Sequence, residues 1–174
     1  MGFPKKKNWL KTIMKHYKDN RFLGTSGSCS SHYSNSFYRD NKDNIFNTFY
    51  KIIYFFFTVP KFPNCHVRTN GFLIKSKDFL EFINVKFFDT KLKSFLIESG
   101  YNSLTNFFLK KNYNIFIVNR NGEKFSLNKM RDSQTFAYAN QDKFLISDNH
   151  IRKYLTFSNK NKMAKSKQVW GKYE

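Results

Sequence analysis

Two cysteines and two histidines have the residue types of a zinc cage: Cys29-Ser30-Ser31-His32 and Cys65-His66. A tetrahedral Cys2His2 site needs four such ligands. The first pair is acceptably spaced, but adjacent ligands such as Cys65 and His66 diverge on most backbones. The expectation is therefore no metal and two free thiols in a reducing compartment, since two cysteines are too few to staple a secreted domain. His16, His32, His66 and His150 are scattered and lack repeated acidic neighbours. Asp40 and Asp43 near His32 read as a solvated loop. The sequence carries no Gly-rich phosphate cradle and no nucleophile elbow. It predicts no catalytic residue, no enzyme and no cofactor.

The chemistry the sequence does display is charge. Lys and Arg total 31 against 12 Asp and Glu, a net charge of +19 over 174 residues. Self-repulsion on that scale calls for a polyanion, with nucleic acid first and an anionic membrane surface second. The charge is concentrated at the ends. Lys5, Lys6, Lys7, Lys11, Lys15 and Lys18 lead into Arg21, opposed by Asp19 alone. Arg152, Lys153, Lys160, Lys162, Lys165, Lys167 and Lys172 crowd the last 26 residues. Together with Arg120, Lys124 and Arg131, the residues of both ends from Lys5 to Lys18 and from Arg152 to Lys167 are the expected RNA contacts. Aromatic residues interleave with lysine at Lys51-Ile52-Ile53-Tyr54, Lys86-Phe87-Phe88, Lys110-Lys111-Asn112-Tyr113 and Arg152-Lys153-Tyr154. Rings so placed stack on bases or fill a core. With 22 Phe, 10 Tyr and abundant Lys and Asn, the composition is that of a strongly A/T-rich genome, organellar or nuclear.

The elements that must carry these charges follow from periodicity. Trp9, Leu10, Ile13, Met14 and Tyr17 recur at helical spacing, with Lys11, Lys15 and Lys18 opposite, and predict a basic amphipathic helix. A presequence is the competing reading of this run. It is disfavoured because the run is Lys-rich and opens with Met, and an organelle-encoded protein needs no import signal. Residues 23–43 read as a loop. Residues 45–59 predict a buried helix or strand, too short to span a bilayer and interrupted by Lys51. Residues 60–63 break the chain, and 78–98 hold two short elements before Gly100. Residues 113–118 are β-rich, Arg120-Asn121-Gly122 is a turn signal, and 124–127 provide the return strand of a hairpin. Phe116, Val118 and Phe125 are expected to share a core with Met130 and Phe136.

One stretch resembles a known family. Ser103, Phe108, the strand positions Phe116 and Val118, the turn Asn121-Gly122-Glu123-Lys124-Phe125, Met130 and Phe136-Ala137-Tyr138 follow one another as in the universal small-subunit ribosomal protein family S-nineteen. Pro4-Lys5-Lys6-Lys7 is similar to that family's basic N-terminal motif, and the Lys-rich end to its tail. Asn106 stands where proline is usual, and residues 131–135 lack the family's Gly-His-Lys-x-Gly-Glu segment. The resemblance implies a place in the head of the small subunit, with the tail towards the decoding region.

The resulting expectation is an α+β fold, a small antiparallel sheet with packed helices and basic extensions at both ends. Its regions are a basic N-terminal extension (1–22), an insertion with a buried apolar element (23–100), a small α+β core (101–148) and a basic C-terminal tail (149–174). The expected role is translation: a structural protein of a mitochondrial small ribosomal subunit, organelle-encoded and in the matrix. Its partners would be ribosomal RNA and neighbouring ribosomal proteins, without a membrane span. The alternative is an accessory subunit of a mitochondrial inner-membrane complex, with residues 45–59 against other subunits and the basic ends near anionic lipid.

Overall fold

A computed structural model of the chain describes residues 3–33, 45–83 and 91–171. The fold is α+β. At its centre lies a four-stranded sheet in the order β5 (Phe72–Leu73), β2 (Arg21–Gly24), β6 (Asn114–Val118) and β7 (Lys124–Ser126). β2 runs parallel to β6, with Phe22 opposite Ile115 and Leu23 opposite Phe116. The outer pairs β2·β5 and β6·β7 are antiparallel. The sheet is thus mixed, because the chain between β2 and β6 makes a long crossover.

The run Asn114-Ile115-Phe116-Ile117-Val118 supplies apolar side chains to both faces, since successive residues of a strand point to opposite sides. On one face Phe22, Ile115 and Ile117 pack with Phe82 of α3 (Ser76–Ile83), Ile97 of α4 (Lys91–Ser99), Leu104 and Phe108 of α5 (Leu104–Lys110), and Met130 of a 3₁₀ segment (Leu127–Ser133). On the other, Leu23, Val118 and the half-buried Phe116 meet Ile13 of α1 (Trp9–Met14) and Leu145. A further cluster joins Phe136, Phe144 and Ala137 to Ile151 and Tyr154 of α6 (Asn149–Leu155) and Val169 of α7 (Asn159–Trp170). The single core expected for Phe116, Val118, Phe125, Met130 and Phe136 is therefore divided. Strand parity sends Phe116 and Val118 away from Met130, and Phe136 leaves the sheet to pack on the C-terminal helices.

The hairpin forms as the sequence predicts, with Val118 opposite Lys124 and Phe116 opposite Ser126. The Gly122 amide donates to the Asn119 carbonyl (3.0 Å), and the Asn119 amide to the Glu123 carbonyl (3.1 Å). Only Gly122 of the turn takes positive φ, at 83°. The amides of Asn121 and Glu123 both donate to Asn119 Oδ1, at 3.0 and 3.1 Å, so Asn119 is the side chain that holds the loop closed.

Residues 3–22 are woven into the fold rather than trailing from it. β1 (Phe3–Pro4) pairs antiparallel with β8 (Ile146–Ser147), and the Lys5 amide extends the contact to the Leu145 carbonyl. α1 has six residues, because the chain must turn to enter β2 at Arg21. Thr12 and Ile13 face inward, while Leu10 and Met14 of the expected apolar stripe are exposed. Residues 23–100 are likewise structural. They finish β2, form the antiparallel pair β3 (Gly27–Ser28) and β4 (His66–Val67), and contribute Val67, Phe82 and Ile97 to the core. The expected loop at 23–43 therefore begins as strand, and its residues 34–43 lie outside the described residues.

Residues 45–59 form α2 (Ile45–Thr58), but the element is not buried. Phe49, Tyr50, Ile53, Phe56 and Phe57 are exposed, Phe57 at 72%. The helix is tied to the fold at its C-terminal end, where the Tyr101 amide donates to the Thr58 carbonyl (3.0 Å) and Val59 is buried. The Phe56 ring also meets Tyr33, with centroids 6.3 Å apart. Among the described residues no helix is long and apolar enough to cross a membrane.

Candidate nucleic-acid interface

The β1·β8 pairing brings the two basic ends of the chain together. The Lys5 ammonium stands 5.7 Å from the centre of the Phe144 ring, just ahead of β8. Arg152 of α6 stands 5.8 Å from the Phe3 ring in β1. Lys6 Nζ donates to the Arg120 carbonyl (3.4 Å) at the hairpin turn, and the Arg120 amide donates to the Lys143 carbonyl (2.8 Å). His16 Nε2 bonds the Gly122 carbonyl at 2.7 Å, which fixes α1 against the same turn. Beyond it, Arg21 and Lys124 both lie over the Phe116 ring, at 5.5 and 4.9 Å. A run of neighbouring contacts thus links Lys5, Lys6, Arg120, Lys124 and Arg152 from the expected set, and adds Arg21 and Lys143.

Other expected contacts are placed differently. Lys7, Lys11, Lys15 and Lys18 are exposed around α1, and Lys153, Lys160 and Lys167 on the C-terminal helices; Lys162 is half-buried. Arg131 is half-buried over Tyr138, 4.6 Å from its ring, and donates to its hydroxyl at 3.3 Å. Lys165 turns inward and lines a cavity of about 290 Å³. Lys86-Phe87-Phe88 and Lys172 lie outside the described residues.

That cavity is the feature that sequence reasoning missed. Its wall is the β3·β4 pair, where polar residues alternate: Ser28 and Ser30 on one strand and its flank, His66, Arg68 and Asn70 on the other. The alternation was the available signal, since period-two polar residues line one face of a strand. α4 adds Phe95 and Glu98, the start of α6 adds Asp148 and His150, and α7 adds Lys165. Arg68 is almost fully buried. Its Nη2 donates to Asp148 Oδ2 (2.8 Å), and its guanidinium lies 3.8 Å from the Phe136 ring. Asp148 Oδ1 meanwhile accepts from the Ile151 amide (2.8 Å) as the N-cap of α6. Glu98 Oε2 accepts from the Thr69 amide (3.2 Å).

His66 Nδ1 donates to the Asn64 carbonyl (2.7 Å), leaving Nε2 turned to Glu98 Oε1 at 3.9 Å, beyond hydrogen-bond range. Burial pushes the His66 pKa below its ordinary value, against the opposing pull of Glu98. Burial lowers His32 in the same way. Lys165 is lowered first by burial, then by the positive charges of Arg68 and Lys153.

The two thiols are not free: Cys29 and Cys65 are joined by a disulfide at the end of the β3·β4 pair. The antiparallel strands set the two residues side by side, a proximity invisible at a sequence separation of 36. Both zinc-type sulfur ligands are thereby used. Among the described residues no group of three or more His, Cys, Asp and Glu side chains is placed to hold a metal ion. No protein-family model, curated protein or solved structure matches the chain.

Proposed function

We propose that the protein is a structural, RNA-packing component of a ribonucleoprotein, as a ribosomal protein of an organellar small subunit would be. The observation that carries the reading is the joining of both basic ends and the hairpin turn through β1·β8, in a chain of net charge +19. Lysines and arginines gathered from three distant segments suit a phosphate backbone that passes over them. The role is non-catalytic. The β6·β7 hairpin and its Asn-Gly turn support the S-nineteen resemblance within this reading, with the mitochondrial matrix as the proposed site of action. The test is binding of a structured RNA hairpin across a salt titration. A Lys6→Gln/Arg120→Gln double variant should lower the slope of log affinity against log salt by about 1 per lost phosphate contact. A slope equal to that of the unaltered chain refutes the interface.

Two observations favour a second reading, the accessory subunit of a membrane complex. α2 presents Phe49, Tyr50, Ile53, Phe56 and Phe57 to its surroundings. The Cys29–Cys65 disulfide suits oxidising surroundings and is rare where thiols are kept reduced. Flotation with anionic vesicles distinguishes the readings. Retention that is lost in Phe56→Ser/Phe57→Ser, together with no affinity for RNA, selects the second.

A further inference from the structure

The polar cavity between the β3·β4 pair and the C-terminal helices is built to receive an anion. Asp148 is engaged within the protein through both carboxylate oxygens and Glu98 through one. Asp148 is shared between Arg68 and the amide of Ile151, and Glu98 Oε2 accepts from both the amide and the hydroxyl of Thr69. The donors are in excess. Arg68 and Lys165 line it with cationic heads, and each keeps N–H donors beyond the bond that Arg68 gives Asp148 and the one that Lys165 Nζ gives Gln168 Oε1 (2.9 Å); the hydroxyls of Ser28 and Ser30, 2.7 Å apart, keep one proton between them for a further acceptor. The pKa of Lys165 is lowered first by burial and then by the charges of Arg68 and Lys153, and a bound anion would offset the charge part. At about 290 Å³ the cavity lies at the small end of ligand sites, which commonly run from about 300 Å³ upward.

We infer that this cavity binds a phosphate monoester, held by Lys165 and Arg68, from either a free mononucleotide or the phosphorylated end of an RNA strand. The site is distinct from the cationic surface. It does not require the RNA-packing reading, because its donors converge inside the fold and not along an exposed face.

The full chain is titrated calorimetrically with inorganic phosphate, AMP, adenosine, and a short RNA oligomer with and without a 5′-phosphate. Lys165→Gln removes the mobile cation, Lys165→Arg restores it, and Lys160→Gln serves as a surface control on the same helix. Phosphate-bearing probes should bind, adenosine should not, and Lys165→Gln should weaken binding about tenfold, as loss of one charged hydrogen bond does. Lys165→Arg and Lys160→Gln should bind as the unaltered chain does. Preference for AMP identifies a free nucleotide, and preference for the 5′-phosphorylated oligomer identifies an RNA end. Equal losses in Lys165→Gln and Lys160→Gln, equal binding of adenosine and AMP, or no phosphate binding overturns the proposal. Binding of the unphosphorylated RNA hairpin by Lys165→Gln reports separately on the cationic surface.

Discussion

Asp148 serves two structures at once, and separating them makes a quantitative test of how the C-terminal helices are held. One carboxylate oxygen caps α6 and the other neutralises Arg68, with side-chain exposures of 15% for Asp148 and 8% for Arg68. Replacing an N-cap by alanine costs about 0.5–2 kcal/mol. Removing one partner of a buried ion pair costs about 3–5 kcal/mol, because the remaining charge is left without compensation. Asp148→Ala loses both and should destabilise the fold by roughly 4–6 kcal/mol, a large share of a typical domain's stability. Asp148→Asn keeps a good cap and removes only the charge, so it should retain about 1 kcal/mol relative to alanine. Arg68→Met keeps the apolar stem against Phe136 and leaves Asp148 as cap with partial access to water. It should cost less than Asp148→Asn. Urea denaturation followed by circular dichroism measures all three. Equal midpoints for Asp148→Asn and Asp148→Ala would show that the cap contributes nothing, and a loss below about 1 kcal/mol for Asp148→Ala would place Arg68 in water rather than in the core.

Four further outcomes are expected. Gly24→Ala should destabilise by about 1–3 kcal/mol in thermal or urea unfolding, since its Cβ would stand 2.3 Å from Val67 Cγ1 and 3.0 Å from Ile117 Cδ1; unchanged stability would contradict the β2·β6 packing. Gly122→Ala forces an L side chain to φ 83° at the hairpin turn and should cost about 1–2 kcal/mol, whereas Asn121→Ala should be near neutral. Reduction of the Cys29–Cys65 disulfide should lower stability by about 2–4 kcal/mol, measured with and without reductant; equal denaturation curves would refute a native bridge. Folded His66 and His32 have depressed pKa values, so the unfolded chain binds more protons as pH falls below about 6.5 and stability should decline there, levelling off below the folded pKa. His66→Gln should flatten that decline, and an unchanged slope would remove His66 as its source.

The sequence made local features legible and long-range ones opaque, for physical reasons that can be read residue by residue. The hairpin at 114–126 is specified by adjacent residues: an apolar β-rich run, a glycine able to take positive φ, and a return strand. The charge at both ends needs no structure to be seen. By contrast, β2 pairs with β6 across most of the chain, and nothing near Arg21 announces that partner. Helical periodicity over Trp9 to Tyr17 was a weaker constraint than the need to start a strand at Arg21. Ser26, Ser28 and Ser30 read as loop because they are small and polar, yet Ser28 and Ser30 line the cavity and Ser26 Oγ donates to Asn70 Oδ1 (2.8 Å). α2 was expected to be buried because it is apolar, but apolarity creates a demand for cover and does not supply the cover.

The parallel pairing of β2 with β6 also governs the order in which the polypeptide can acquire structure. A nascent chain emerges at about 5–20 residues per second, and roughly 90 residues separate Phe22 from its partner Ile115. Through that interval Phe22 and Leu23, both fully buried in the finished fold, have only the short edge strand β5 to pair with, and that only once Phe72 and Leu73 are made. β1 waits longer still, until Ile146 and Ser147 have been made. Closure of contacts so distant in sequence is slow, and the intermediate exposes apolar strand edges that invite association. The central sheet therefore reaches four strands only after Ser126, and the β1·β8 pair forms only after Ser147, have been made.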